Sequence, residues 1–291
     1  SYGRCIAHGA LVSIAALGAA DAPRLERIER LDIRFRQPVL PGAMYAVAVV
    51  GQEDAKAQIE VTRGGAVAAT IALESGATPV PSIGEQRVAA RTTPLHQMIE
   101  GLAVTEPLSE PYGCDLSELR RLAPELGASD VPDAVLAWLA AASYTVGMLV
   151  PGRDAVFVGA RITRASAADS GTLTAGVTAA DDRTGLVAVD VSLDQGEASA
   201  RMALNAFLLP PVPPPDRASI GRHLPPSDAL AGRNVLVVGA SRGLGAAVTA
   251  GFATQGATVW AGFARSGDRV EELRAEFGPE RIRPLMFDAE D

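Results

Sequence analysis

Two places in the chain carry residue types and spacings suited to chemistry. In the first, Gly239-Ala240-Ser241-Arg242-Gly243-Leu244-Gly245 stands between the apolar run Asn234–Val238 (NVLVV) and an amphipathic segment from Gly243 to Gln255. A glycine turn in that position lets backbone come close to a pyrophosphate, and the helix that follows aims free amides and its positive dipole end at the charge. The strand before and the helix after give the glycines this meaning, since a glycine-rich string alone is a weak signal. In the second, His8-Gly9 opens an Ala-rich apolar segment, HGALVSIAALGAA. Free backbone amides at such a helix start suit an oxygen on which negative charge develops.

The rest of the chain must supply the elements that position these groups. Its 291 residues are enough for two or three domains at ~100–200 residues each. Apolar residues make up 48% and charged residues 21%, which excludes a disordered, collagen-like or coiled-coil protein. A net charge of −8 and a pI near 5.0 exclude a nucleic-acid groove, which needs clustered Lys and Arg. A small acidic substrate needs only one local Arg and stays allowed. Cys5 and Cys114 are too few for a disulfide framework or a four-ligand zinc site, so a reducing cytoplasm and no metal are expected. Residues 5–20 do not read as a signal peptide, because His8 and Gly9 interrupt the apolar run and a single Arg4 precedes it. Val135–Val150 contains Ser143, Tyr144, Thr145 and Gly147 and is too short and polar for a span of ~20 residues. No membrane partner is expected.

Prolines mark the joints. Seven of the 20 lie between Pro210 and Pro226, which reads as a stiff, extended spacer. A weaker joint runs from Gly76 to Pro94. The expected units are residues 1–78, 85–209 and 232–291, with 210–231 as linker. The first two share a pattern: an Ala-rich helix (His8–Ala20; Pro132–Val150) followed by extended segments. These are Leu31–Phe35, Tyr45–Val50, Ala57–Thr62 and Ala66–Leu73 in one, and Ala155–Thr163, Thr172–Ala179, Leu186–Leu193 and Glu197–Leu208 in the other. A helix apolar on every face must be surrounded. An antiparallel sheet curled around it provides this, and an ordinary α+β domain with a buried helix is the alternative. The third unit alternates strand and helix in the manner of a parallel sheet: Asn234–Val238, Gly243–Gln255, Thr258–Ala261, Arg269–Phe277 and Ile282–Phe287.

The string AHGALVSIAAL followed by LDIRFRQPVLPG resembles the latter part of MaoC-like hydratases/dehydratases, in which an HG helix start precedes a strand reading V-R-F-x-x-P-V-x-P-G. Arg34, Phe35, Pro38, Val39, Pro41 and Gly42 match in order and spacing. The resemblance implies a hotdog fold, the second unit being a degenerate copy, hence a double hotdog acting on an acyl thioester. Such chemistry needs a base, a group that holds the water and a donor at the thioester oxygen. The family takes the first two from a D-x-N-P-x-H motif, which would lie before residue 1. Gly9 remains as the oxyanion donor and His8 as a substrate contact. In the second unit, Pro111–Leu122 (PYGCDLSELRRL) puts Arg120 where the His would stand, with Ser117 and Glu118 in place of Asn and Pro. Arg cannot act as a base, so this copy is expected to be non-catalytic, with Asp115 as a helix N-cap.

The run NVLVVGASRGLGAAVTAGFATQGATV resembles short-chain dehydrogenase/reductases in its G-x-x-x-G-x-G spacing, with Val238 where many members have Thr. The resemblance implies the start of a Rossmann fold, holding its cofactor through Gly239, Ser241, Arg242, Gly243, Leu244 and Gly245. At the end of the second strand, Trp260-Ala261-Gly262-Phe263-Ala264-Arg265-Ser266 contains no acid before Asp268. Arg265 and Arg242, with Ser266 beside them, therefore favour a 2′-phosphate, that is NADPH, and Asp288 stands where the family holds the adenine. The family's N-A-G turn and its Ser, Tyr and Lys of catalysis would follow Asp291. The combined expectation is a double hotdog followed by a partial Rossmann fold, part of a cytoplasmic, homodimeric, bifunctional protein of fatty-acid or polyketide type. It would use thioesters of CoA or acyl carrier protein, and this stretch alone would show neither crotonyl-thioester hydration nor ketone reduction. The alternative is a non-catalytic acyl-binding, dimerising scaffold attached to the reductase.

Overall fold

In the computed structural model the described residues are 7–20, 25–80, 82–84, 89–95, 106–166, 168–209, 213–264 and 266–287. The chain divides into two compact units, Ser1–Pro210 and Pro211–Asp291.

The larger unit is built on one nine-stranded antiparallel sheet. Its strands are β1 (Ile28–Phe35), β2 (Ala46–Glu53), β3 (Lys56–Arg63), β4 (Ala66–Ser75), β5 (Leu108–Pro111), β6 (Ala155–Arg164), β7 (Ala168–Asp181), β8 (Leu186–Gly196) and β9 (Ala200–Leu208). Their order is β2-β3-β4-β1-β6-β9-β8-β7-β5. Alternation along the strands sends one side chain in two to the core: β9 alternates buried and exposed positions for most of its length, and β3 repeats it around Ala57, Ile59 and Val61. Each half of the sheet holds a helix, α1 (Gly9–Ala19) in one and, after the short α2 (Leu116–Leu122), α3 (Asp133–Tyr144) in the other. The halves join at β1 and β6, where Leu31 pairs with Ile162 and Ile33 with Ala160.

The apolar sequence of α3 is enclosed as expected, with Ala134 through Leu139 and Ala141–Ala142 all buried. By contrast α1 is covered on one side only, with Ala10, Ser13, Ile14, Ala16 and Leu17 buried while Leu11 is 41% exposed. The helices run antiparallel: the end of α3 meets the start of α1 at Ser143 and His8, and Gly18 near the end of α1 lies against Gly127 and Ala128. The second helix stops at Tyr144 and does not reach Val150. A π turn, Thr145–Leu149, follows it, and Pro151 disfavours helix at the residue before it.

In the smaller unit β10 (Asn234–Val238), β11 (Thr258–Phe263) and β12 (Ile282–Met286) form a parallel sheet in that order, with α5 (Gly243–Thr254) and α6 (Gly267–Phe277) as crossovers. Val237, Val259, Ala261 and Ile282 form a buried core with Ala246, Ala250, Val270, Leu273 and Phe277 of the helices. Leu236 and Val238 are more than half exposed. The stretch before this sheet corrects the reading of an extended spacer over 210–231. Arg217–His223 is a helix, α4, closed by an Asp216–Ser219 capping box. Its Arg217 amide donates to Glu276 at 3.0 Å and its guanidinium lies over the Phe277 ring. The proline-free interval between Pro215 and Pro225 leaves room for a short helix, and Asp216 supplies the cap that prolines cannot.

Candidate functional site

The loop after β1 reaches back to the start of α1. Val39 accepts a 2.7 Å bond from the Ala7 amide, and the Tyr45 hydroxyl accepts one from the Leu40 amide. The residues of the Arg34–Gly42 motif thus fix where His8 and Gly9 sit. Here a cleft of about 410 Å³ opens, lined by His8, Gly9, Phe35, Val39, Ser143, Val146, Phe157, Leu186 and Phe207, with Arg36 also on its wall. Its volume lies within the range of small-molecule sites, ~300–1,000 Å³. Phe35 and Phe157 meet edge to face, centroids 6.0 Å apart, and bring together β1 of one half and β6 of the other.

The two helix starts differ in what they offer a ligand. At α1, His8 is the N-cap residue, it makes no side-chain cap bond, and the first turn carries no acid. The first amides of a helix have no partner within it, and Gly9, the first residue of α1, lines the cleft with no acid in its turn to meet them. At α3 the dipole is met by Asp133 in the first turn, and Asp133 is held by Arg120 through Nε at 3.1 Å and through Nη2. An internal ion pair thus stands at this helix start, where α1 has none among the described residues. Asp115 accepts from the Glu118 amide at 3.1 Å and caps α2, and the bond from the Ser117 hydroxyl, with that one second, holds its carboxyl below the usual range. Burial pushes the Cys114 thiol up to about 11, so it stays protonated and inert.

A residue that sequence reading passed over belongs to the first site. Ser143 approaches the His8 ring from the opposite half, its Oγ 3.0 Å from Nε2 and 3.5 Å from Nδ1. Desolvation lowers the His8 pKa from 6.5, so the ring is neutral at pH 7 and one nitrogen accepts. The signal in the sequence was the hydroxyl cluster Ser143-Tyr144-Thr145 at the end of the otherwise apolar run of α3. Tyr144, one residue on, faces elsewhere. Its hydroxyl donates to Glu110 and accepts from the Arg91 amide at 2.7 Å, and burial and Glu110 push its pKa up to about 12.

In the smaller unit Gly239 and Gly243 have φ of +73° and +56°, and a Cβ at either would meet nothing within 4 Å. The positive φ calls for glycine, and the space beside both residues is open. Gly245 answers a different need, since a Cβ there would stand 2.0 Å from the Gly239 carbonyl oxygen. Gly245→Val is therefore expected to displace the turn and destabilise this unit by about 1–3 kcal/mol, read as a lower urea midpoint. Unchanged stability would show that the turn is not closed on α5 as described. Arg242 is the N-cap residue of α5 and is exposed, Leu244 is 81% exposed, Ser241 is half-buried beside them, and Ser266 is the N-cap residue of α6. Arg265 and Asp288 lie outside the described residues. Among the described residues no three metal-ligating side chains gather, and no helix is long and apolar enough to cross a membrane.

Comparison with known proteins agrees with both folds. Residues 233–291 match the family model described as short chain dehydrogenase. A structure titled MaoC-like dehydratase is 14% identical, with a TM-score of 0.50 over 72% of this chain and 86% of that one. The dehydratase domain of a mycocerosic acid synthase-like PKS (14%, TM-score 0.41, 69% and 82%) and a tesB protein of Mycobacterium avium subs paratuberculosis (8%, 0.42, 69% and 87%) are more distant in structure. No curated protein matches the chain significantly. Identity of this order shows a fold and no more. The larger unit has the hotdog fold, and residues 233–291 match the short chain dehydrogenase family.

Proposed function

We propose that the larger unit is a double hotdog that binds an acyl thioester of CoA or a carrier protein in the cleft at the start of α1, as part of a hydratase/dehydratase. The observation that carries this is the convergence, on one apolar cleft of about 410 Å³, of aromatic walls and an α1 N-terminus that no acid of its own turn neutralises. The acyl chain lies along Phe35, Phe157 and Phe207, and the thioester oxygen accepts from the amide of Gly9. The copy around α3, closed by Arg120 and Asp133, completes the cleft wall. A Cβ at Gly9 would stand 2.5 Å from Cδ1 of Phe157, so Gly9→Ala must push that ring into the cleft. It is expected to weaken binding of a non-hydrolysable thioether analogue of butyryl-CoA by about tenfold, or ~1.4 kcal/mol. Calorimetric titration checks this. An unaltered dissociation constant, or no binding by the unsubstituted chain, would refute the reading.

The smaller unit, a Rossmann-type parallel sheet, belongs to an NADPH-dependent 3-oxoacyl thioester reductase. Bound there, the cofactor supplies hydride. The chain's own part is to cradle the diphosphate with Gly239, Ser241, Gly243, Leu244 and Gly245, and to meet the 2′-phosphate with Arg242 and Arg265, beside Ser266, while Asp288 holds the adenine. A charge-assisted contact to that phosphate is worth ~1.5–3 kcal/mol. Arg265→Ala or Arg242→Ala should raise the NADPH dissociation constant by roughly ten- to a hundredfold and leave that for NADH nearly unchanged. Equal losses for both would mean that the arginines support the fold and do not read the phosphate. The two units together fit consecutive chemistry, since reduction of a 3-oxoacyl thioester gives the 3-hydroxy compound that a dehydratase consumes.

A further inference from the structure

We propose that Ser143 and His8 form a nucleophile–base pair across the two halves of the hotdog unit, and that the cleft cleaves acyl thioesters by way of an acyl ester on Ser143. The inference rests on the reading of the cleft as an acyl-thioester site. The serine and threonine hydroxyls of α1 and of the end of α3 have different fates, and two are spent on backbone. Ser13 donates to the carbonyl of Gly9 at 2.9 Å and Thr145 to that of Ala141 at 2.8 Å, the usual fate of a hydroxyl within a helix. Ser143 instead faces the His8 ring, with Oγ 3.0 Å from Nε2, and both side chains line the cleft. That distance is within the reach a nucleophile and its base require, and a turn of the His8 ring, which now holds Oγ 3.5 Å from Nδ1 as well, brings the Nε2 lone pair onto it. Beside them Gly9, the first residue of α1, lines the same cleft at a helix start without a side-chain cap, so the pair and a candidate oxyanion donor share it. An incidental contact between an exposed His8 and Ser143 would need neither the cleft nor a helix start beside it.

The step balances with water as the only co-reactant. As Oγ of Ser143 bonds to the thioester carbonyl carbon, Nε2 of His8 takes the hydroxyl proton and the carbonyl oxygen takes the electron pair, facing the first amides of α1. Collapse breaks the C–S bond, and the proton on His8 passes to the departing sulfur to give the free thiol. Water then attacks the ester, His8 takes one of its protons, and Oγ of Ser143 leaves and regains a proton as the carboxylic acid is released.

The test uses the whole chain with butyryl-CoA, with thiol release followed by a chromogenic disulfide, rapid acid quench, intact mass and peptide mapping. The unsubstituted chain is expected to release thiol and to carry a butyryl group on the peptide that contains Ser143. Ser143→Ala should lose the adduct and at least a hundredfold of the rate while binding the thioether analogue within threefold, and His8→Gln should lose a similar factor in rate. Ser143→Cys should regain thiol release and carry the acyl group on sulfur, which separates loss of the nucleophile from loss of the fold. Undiminished thiol release by Ser143→Ala, an adduct mapped elsewhere, or thioether binding with no thiol release by the unsubstituted chain would each overturn the inference and leave the acyl-binding reading standing. Absence of thioether binding would overturn both.

Discussion

Ile162→Asp is expected to unfold both halves of the larger unit together. Ile162 is fully buried on β6, where it pairs with Leu31 of β1 on one side and Met202 of β9 on the other. An aspartate there leaves a carboxylate among Leu31, Ile33 and their neighbours, or a carboxyl group that has paid to be neutral. Either cost is several kcal/mol, against a total stability of ~5–15 kcal/mol for a domain. The position also decides how far the damage spreads. Because β1 and β6 are adjacent, loss of β6 strips the first half of its only partner on that side of β1 and leaves a long unpaired strand edge. The start of α1 likewise loses the end of α3. Residues 1–80 and 84–209 expressed separately should therefore aggregate or fail to fold. Hydrogen exchange on the Ile162→Asp chain measures the extent, and native protection of the β3 and β4 amides would show that the halves fold independently.

What sequence could give of this arrangement was whatever one residue's type and its near neighbours decide. Glycines at 239, 243 and 245 are required by local backbone, two by positive φ and one by a carbonyl 2.0 Å from where its Cβ would be, so their role is written in the string itself. The apolar composition of α3 likewise announces burial on all sides. The same argument overstated α1, whose Leu11 is exposed, because composition records the chance of burial and not which neighbour provides it. The strand β5 was missed, since LSEP has none of the β-branched residues that mark a strand and is held only by pairing with β7. Ser143 was passed over for a related reason. It lies 135 residues from His8 in the chain, and nothing local distinguishes a hydroxyl that crosses to the other half from one that bonds back to its own helix. The prolines of 210–226 marked a joint but hid a capped helix between them, because proline density says where backbone donors are missing and nothing of what folds in the gap.

Trp138→Ala should lower the stability of the larger unit by about 3–5 kcal/mol. Trp138 is the largest fully buried side chain and sits midway along α3. Its Nε1 donates a 2.8 Å bond to the carbonyl of Ala198, in the turn between β8 and β9. Removing the ring opens a cavity that the surrounding helix and sheet fill only in part, and it leaves that carbonyl without its donor. Trp138→Phe separates the two terms: most of the apolar volume stays and the bond is lost, so the cost should fall to about 1–3 kcal/mol. Urea unfolding followed by tryptophan-independent circular dichroism gives both numbers, provided the slope of the transition is unchanged. The consequence extends to the cleft, because the same helix delivers Ser143 to His8 one and a half turns later. A helix that settles into the cavity carries Oγ of Ser143 out of the 3.0 Å reach of the His8 ring. The alanine variant should therefore lose acyl transfer to Ser143 even at urea-free conditions where it is fully folded, while the phenylalanine variant keeps most of it. A loss of stability below ~1 kcal/mol for Trp138→Ala would mean that α3 is not enclosed by the sheet. Equal acyl transfer by both variants would mean that the site does not depend on where this helix is seated.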